Sequence, residues 1–212
     1  MSDSLLESHI RQYIEAQGGD EVIFTWQGGE PTLMGLDFFR RVVVLQKQYQ
    51  KPGQRIENDL QTNGILLNDE WCSFLAEQKF LVGLSIDGPA ELHDLYRYSK
   101  GNKPTFERVM AAVDLLHAHK IMFSALCVVN RTNARKPIDV YRFLRDRVRP
   151  RIIQFIPGVE PGDFRSVAPG HWDWDRLPTV GSPAAGPGKP DSIVTDWSVA
   201  PEDWGYFLTR IW

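Results

Sequence analysis

Two hydrophobic rhythms alternate along the chain. Leu5, Leu6, His9, Ile10, Tyr13 and Ile14 recur at helical spacing and predict a helix from Ser4 to Ala16. Val22 to Trp26 is instead a short run suited to an extended backbone. The same exchange follows several times. A helix is predicted over Leu36–Tyr49, with Phe38, Phe39, Val42, Val43 and Leu45 on a broad apolar face. Strands are predicted over Arg55–Leu60 and Phe80–Leu84, and between them a helix over Asp69–Gln78, capped by Asn68. A helix capped by Thr105 and ending near His119 precedes a strand over Ile121–Val129. Pro137 opens a helix to about Arg147, and Arg151–Ile156 is the last strand. Five strands separated by helices imply an α/β fold with a parallel sheet and crossover helices. The strands read as near-continuous apolar runs, so both sheet faces are expected to be covered. A complete eight-unit barrel needs about 250 residues, so a partial (β/α) barrel or open sheet is implied.

Residues 161–190 break the rhythm. They are rich in Pro, Gly and Ala and predict a loop excursion, which Trp172 and Trp174 could pin to the body. Pro201, Glu202 and Asp203 then open a helix toward Trp212. The domain reading is therefore a barrel core over 1–160, a Pro/Gly-rich loop over 161–200, and a helix start over 201–212. Composition adds little: 42% hydrophobic and 24% charged residues over 212 positions suit one globular domain. A net charge of -3 gives no general attraction to nucleic acid or to an anionic membrane. Only Cys72 and Cys127 are present, which argues against a disulfide framework and for a reducing, cytoplasmic setting.

The chemistry gathers where strands end. Gln27-Gly28-Gly29-Glu30-Pro31 follows the first strand, Gln61-Thr62-Asn63-Gly64 the second, and Ser85-Ile86-Asp87-Gly88-Pro89 the third. Asn130-Arg131-Thr132-Asn133 follows the fourth strand and Pro157-Gly158-Val159-Glu160 the fifth. In parallel α/β folds this C-terminal edge is where ligands bind. Paired glycines permit close backbone approach, and Glu30 puts a carboxylate beside them, which suits an ammonium group. Arg97, in His93-Asp94-Leu95-Tyr96-Arg97-Tyr98, could clamp a carboxylate. Together the two charges predict an α-amino-acid moiety at the rim.

Taken in order, QGGEP, LQTNG, LSIDGP, HDLYR and VVN make the chain resemble the radical S-adenosylmethionine enzymes, and among them the anaerobic sulfatase-maturating type. The resemblance implies S-adenosylmethionine as ligand, with Gln27, Gly28, Gly29 and Glu30 at its methionyl ammonium. It implies Ser85 and Arg97 at its carboxylate, and backbone near 156–159 beside its adenine. Asn63, Asp87 and Asn130 are implied as further contacts on the rim. It implies a [4Fe-4S] cluster on C-x-x-x-C-x-x-C, a sulfatase polypeptide whose Cys or Ser becomes formylglycine, and a flavodoxin or ferredoxin as electron donor. That cysteine motif is absent from these 212 residues. Its strand and loop are expected before Ser4, and a cysteine-rich domain after the last helix, so the chain is expected to be the interior of a longer enzyme. No catalytic residue and no metal ligand is assigned within it. The rivals are another peptide-modifying enzyme of the same superfamily and a non-catalytic S-adenosylmethionine-binding or scaffold protein. Cys72 and Cys127 are expected to be packing residues, His93 and Asp94 to orient substrate or cap a loop, and Arg145, Arg147, Arg149 and Arg151 to be solvated.

Overall fold

The computed structural model describes residues 1–162, 178–179, 181–189 and 192–212. Trp172 and Trp174, expected to pin the excursion, lie outside the described residues. The helices are α1 (Asp3–Ala16), α2 (Leu36–Tyr49), α3 (Asp69–Glu77), α4 (Ala90–His93), α5 (Phe106–Ala118), α6 (Pro137–Phe143) and α7 (Pro201–Ile211). The strands are β1 (Glu21–Trp26), β2 (Arg55–Thr62), β3 (Leu81–Ser85), β4 (Phe123–Val129) and β5 (Ile152–Pro157). They form one sheet in the order β1-β2-β3-β4-β5. β1 and β2 run parallel with Val22 opposite Ile56 and Trp26 opposite Leu60; β2 and β3 run parallel with Gln61 opposite Gly83. A sheet that advances one strand at a time, with helices in the connections, is the winding of a (β/α) barrel, one of the two architectures the sequence implies.

One expectation about burial fails. The strands are not covered on both faces. On β1, Val22 and Phe24 are buried while Glu21, Ile23 and Thr25 are exposed. On β2, Asn58, Leu60 and Thr62 are buried, whereas Glu57, Asp59 and Gln61 stay partly open. Crossover helices cover one face only, so the period of two in the strand appears as period two in burial.

The chain falls into two compact units. The first comprises Met1–Ser85, Glu107–Ala125 and Pro150–Ile152; the second comprises Ile86–Phe106, Leu126–Arg149 and Ile153–Trp212. In the first, Leu6, Ile10 and Ile14 of α1 and Val42 and Leu45 of α2 bury Val22 and Phe24. Trp26 stands edge-on to Phe38 and Phe39, and its indole N–H donates to Asn58 Oδ1 at 2.9 Å. Asn58 and Gln46 exchange two further amide bonds at 2.8 and 2.9 Å, so this buried polar trio is paired internally. Cys72 is buried in α3 as expected, and burial pushes its thiol up to about 11.

Caps locate the helix ends. Asn68 Oδ1 accepts the Trp71 N–H at 2.9 Å, as the sequence predicts. α5 differs: Asp94 Oδ1 accepts the Thr105 and Phe106 N–H groups at 2.8 and 3.0 Å. Thr105 instead donates its hydroxyl to the Arg97 carbonyl at 2.6 Å. A carboxylate at a helix N-terminus gains from the dipole as well as from the bonds, which favours Asp94 over a hydroxyl. α6 runs into a π turn over Leu144–Val148 that ends at left-handed Arg149. Arg145 pairs there with Asp146 at the surface, and Arg147, Arg149 and Arg151 are exposed, as expected.

In the second unit Phe155 of β5 meets Phe207 of α7 edge-on, and Phe207 is fully buried. The excursion predicted for 161–200 comes back as ordered backbone. Glu160 accepts the Thr195 N–H on its carbonyl at 2.8 Å and the Trp197 indole N–H on its carboxylate at 3.2 Å. Val199 N–H donates to the Gly158 carbonyl at 2.9 Å. Ser198 is fully buried and its hydroxyl takes the Glu160 N–H at 3.0 Å.

Candidate functional site

The turn after β1 is built around two positive φ angles, 96° at Gly28 and 58° at Gly29. Side-chain-bearing residues enter that region at a cost, so the pair lets the chain reverse within two residues. Glu30 then resumes an extended backbone and starts a 3-10 turn over Pro31–Met34. Its carboxylate is held from both sides. Oε1 accepts the Thr32 N–H at 3.1 Å, the Thr32 hydroxyl at 2.6 Å and the Thr62 hydroxyl at 2.7 Å. Oε2 accepts the Asn63 N–H at 2.7 Å. Thr32 and Thr62 are almost fully buried, at 2% and 1% exposure, while Glu30 remains partly open. The loops after β1 and β2 are therefore tied through one carboxylate.

Thr62 also accepts the Gly64 N–H at 3.0 Å. Gly64 has φ 76°, and a Cβ there would come within 2.6 Å of Leu84 Cδ1. Asn63 spends its side-chain oxygen on the Ile65 N–H at 2.9 Å. Ser85 accepts Gln61 Nε2 at 3.1 Å. Glu30, Asn63 and Ser85, with Gln27, Gly28 and Gly29, all belong to the first unit.

Asp87, Arg97 and Asn130 belong to the second. Arg97 grips Asp87 with two donors: Nε bonds Oδ2, and Nη2 bonds Oδ1 at 3.1 Å. Asp87 Oδ1 also accepts the Val128 N–H at 2.8 Å. The side chain of Asp87 is 5% exposed and that of Arg97 25%. The carboxylate met by Arg97 thus comes from the protein itself. Two of the five guanidinium N–H groups are spent on Asp87, which among the described residues leaves three. Asn130 is buried, and its side-chain oxygen takes the Thr132 and Asn133 N–H groups at 2.9 and 3.1 Å. Asn133 returns its amide to the Asp87 carbonyl at 3.2 Å and the Val128 carbonyl at 2.9 Å. His93 is fully buried beneath this network. Its Nδ1 accepts the Asp87 N–H at 3.3 Å, which leaves Nε2 to donate to the Thr105 hydroxyl at 3.2 Å. Burial drives its pKa down to about 4, although the Asp87 charge pulls the other way. Of the two readings left open for His93 and Asp94, the geometry gives both to loop structure.

Sequence reasoning missed Thr32, Thr62 and Asn133. The signal for the first two was their place, two residues on from Glu30 and at the end of β2. Nothing in a strand-forming threonine says that it faces a carboxylate from another loop.

The residues fit an iron–sulfur cluster poorly. Among the described residues no group of three His, Cys, Asp or Glu side chains is placed to hold a metal. Cys127 is fully buried, and burial raises its thiol well above the ordinary value, opposite to what a thiolate ligand needs. An ammonium-bearing ligand is a better match, since Glu30 offers a fixed, partly open carboxylate beside a turn without side chains.

A sheet wound strand by strand, with a Gly-Gly-Glu turn after its first strand, defines a class of α/β protein that binds at one strand edge. Residues 1–144 match the Radical SAM superfamily, and the chain belongs to it. It is 44% identical over 211 residues to a serine-type anaerobic sulfatase-maturating enzyme of Bacteroides thetaiotaomicron, covering 100% of this chain and 48% of that protein. It is 40% identical over 161 residues to a cysteine-type enzyme of Clostridium perfringens, covering 76% of this chain and 43% of the other. The solved structure of native anSMEcpe with bound AdoMet and Cp18Cys peptide superposes with a TM-score of 0.80 at 33% identity. That match covers 100% of this chain and 51% of the other. The chain thus spans about half the length of these relatives.

Proposed function

We propose that the chain is the S-adenosylmethionine-binding core of a sulfatase-maturating enzyme that oxidises a Cys or Ser of a sulfatase polypeptide to formylglycine. The observation that carries this is the Glu30 carboxylate, held by Thr32, Thr62 and Asn63 at the end of a glycine turn. Gln27, Gly28, Gly29 and Glu30 would take the methionyl ammonium, and Ser85 the carboxylate. Arg97, which keeps three N–H groups beyond its pair with Asp87, has the carboxylate role the resemblance implies. Asn63, Asp87 and Asn130 stand as contacts of lesser weight, because their side chains already serve the backbone around them. S-adenosylmethionine supplies the radical chemistry of the superfamily; these residues bind and orient it. The cluster is left to cysteines that these 212 residues do not contain.

The related sulfatase-maturating enzymes support this activity, and the peptide-bound structure supports a polypeptide substrate. A flavodoxin or ferredoxin as donor and a cytoplasmic setting complete the reading. No helix among the described residues is long and apolar enough to cross a membrane. Residues 1–160 are read as the barrel core, 161–200 as an excursion and 201–212 as the helix beyond it.

Calorimetric titration with S-adenosylmethionine tests the site. Glu30→Gln is expected to weaken binding about 10- to 100-fold, the loss of one hydrogen bond to charge. Equal affinity in the wild type and Glu30→Gln would remove Glu30 from the site.

A further inference from the structure

The two oxygens of Glu30 are not equivalent. Oε1 carries three donors, two of them from Thr32 and one from Thr62. Oε2 carries one, the Asn63 N–H. A carboxylate has about four acceptor positions, two on each oxygen. Oε1 is therefore saturated by the protein, and the capacity that remains is on Oε2. The donor that connects the two loops on the saturated side is the hydroxyl of Thr62.

The only proton of that hydroxyl is committed as well. It donates to Glu30 Oε1 at 2.7 Å and accepts the Gly64 N–H at 3.0 Å. Thr62 lies at 1% exposure on the buried side of β2, so water does not replace the bond if the hydroxyl is removed. Its aliphatic part would be served equally well by valine at the end of a strand. What valine lacks is the donor to Glu30 and the acceptor for the Gly64 N–H. A strand of this kind has no need of a hydroxyl on its covered face, and the hydroxyl meets the one carboxylate that the glycine turn presents.

We infer that Thr62 is a positioning residue for Glu30: with Thr32 it commits Oε1 to the fold and leaves Oε2 as the oxygen offered to the ligand's cation. The inference rests on the proposed ammonium site but concerns a different group, and the two fail separately. Without Thr62, Glu30 keeps its charge and its bonds to Thr32. It loses the restraint from β2, so its carboxylate rotates and its bond to the Asn63 N–H loosens. Glu30→Gln makes the same point from the other partner. A glutamine has one oxygen, which three donors draw to the Oε1 position. Its NH2 then faces the Asn63 N–H, donor against donor.

Amide hydrogen exchange on the 212-residue chain reads this without any ligand. Thr62→Val is expected to speed exchange at Asn63 by about tenfold or more, the loss of one bond to a charged acceptor. The Trp71 amide, held by Asn68 within the same unit, is expected to stay within about twofold and so reports an intact fold. Thr62→Ser restores the hydroxyl and is expected to bring Asn63 back to within about twofold of the wild type. Glu30→Gln is expected to match Thr62→Val, and the double variant to add nothing to either. Unchanged Asn63 exchange in Thr62→Val, or no recovery in Thr62→Ser, overturns the assignment. S-adenosylmethionine titration of the same variants is the second arm. Equal affinity in Glu30→Gln sinks the ammonium site and leaves the exchange result standing. Lost affinity in Glu30→Gln beside wild-type exchange in Thr62→Val sinks only the role of Thr62.

Discussion

His93 makes the fold sensitive to acid over a defined range. It is fully buried, accepts the Asp87 N–H on Nδ1 and donates from Nε2 to Thr105. Protonation would set a second N–H against that of Asp87 in a site that burial already makes hostile to charge. The Asp87 and Asp94 carboxylates favour the cation and the Arg97 guanidinium opposes it; burial outweighs them and leaves the pKa at about 4. The unfolded chain takes this proton at about 6.5. Between those values the unfolded state binds more protons, so stability is intact above about 6.5 and falls as pH drops toward 4. The full gap corresponds to about 3 kcal/mol, of which about 2.5 kcal/mol is lost by pH 4.5. Urea unfolding of the wild type and His93→Gln at pH 7, 5.5 and 4.5 isolates this contribution. The substitution has its own cost, but glutamine does not titrate, so the stability gap between the two proteins should shrink by about 2.5 kcal/mol from pH 7 to 4.5. A gap constant across that range refutes a buried neutral His93.

Two further outcomes follow from the packing. Asp87→Asn removes the charge from a pair whose carboxylate is 5% exposed, leaving Arg97 without its partner. Because Arg97 is one-quarter open to water, the loss should fall below that of a fully buried pair, at about 2 kcal/mol in denaturant unfolding. Lys120 stands at φ 56° just after α5, where its N–H reaches the His117 carbonyl and the next N–H reaches Leu116. Lys120→Gly relieves left-handed strain and should raise stability by about 0.5 kcal/mol after the entropy cost of glycine, read as a higher Tm.

Much of the fold was legible in short stretches. α2 begins and ends where its apolar face predicts, and Asn68, Pro137 and Pro201 mark helix starts as expected. β2 runs two residues longer than predicted, because Gln61 and Thr62 pair with β3 although neither is a strong strand former by hydrophobicity. The signals misread were those with a distant partner. Thr105 does precede α5, but the carboxylate that takes its first N–H groups is that of Asp94, 11 residues away from Thr105. The loop over 161–200 looked featureless because its return at 192–199 is ordered by Glu160 and Gly158, not by any periodicity of its own.

The residue order by itself determined the alternation of strand and helix, the glycine turn after β1, and the motifs that place the chain in its superfamily. Each depends on interactions within a few residues, where backbone propensity and side-chain period act. The tertiary structure alone decided which groups the charged residues meet. It gave Arg97 to Asp87, Glu30 to Thr32, Thr62 and Asn63, and His93 to Asp87 and Thr105. Some of these partners are near in sequence, such as Thr32, and others distant, such as Thr62 and Asn63, but all are fixed by how turns and loops fold onto one another, and burial then sets the cost of changing either one. Those distances and that burial exist only once the strands have aligned.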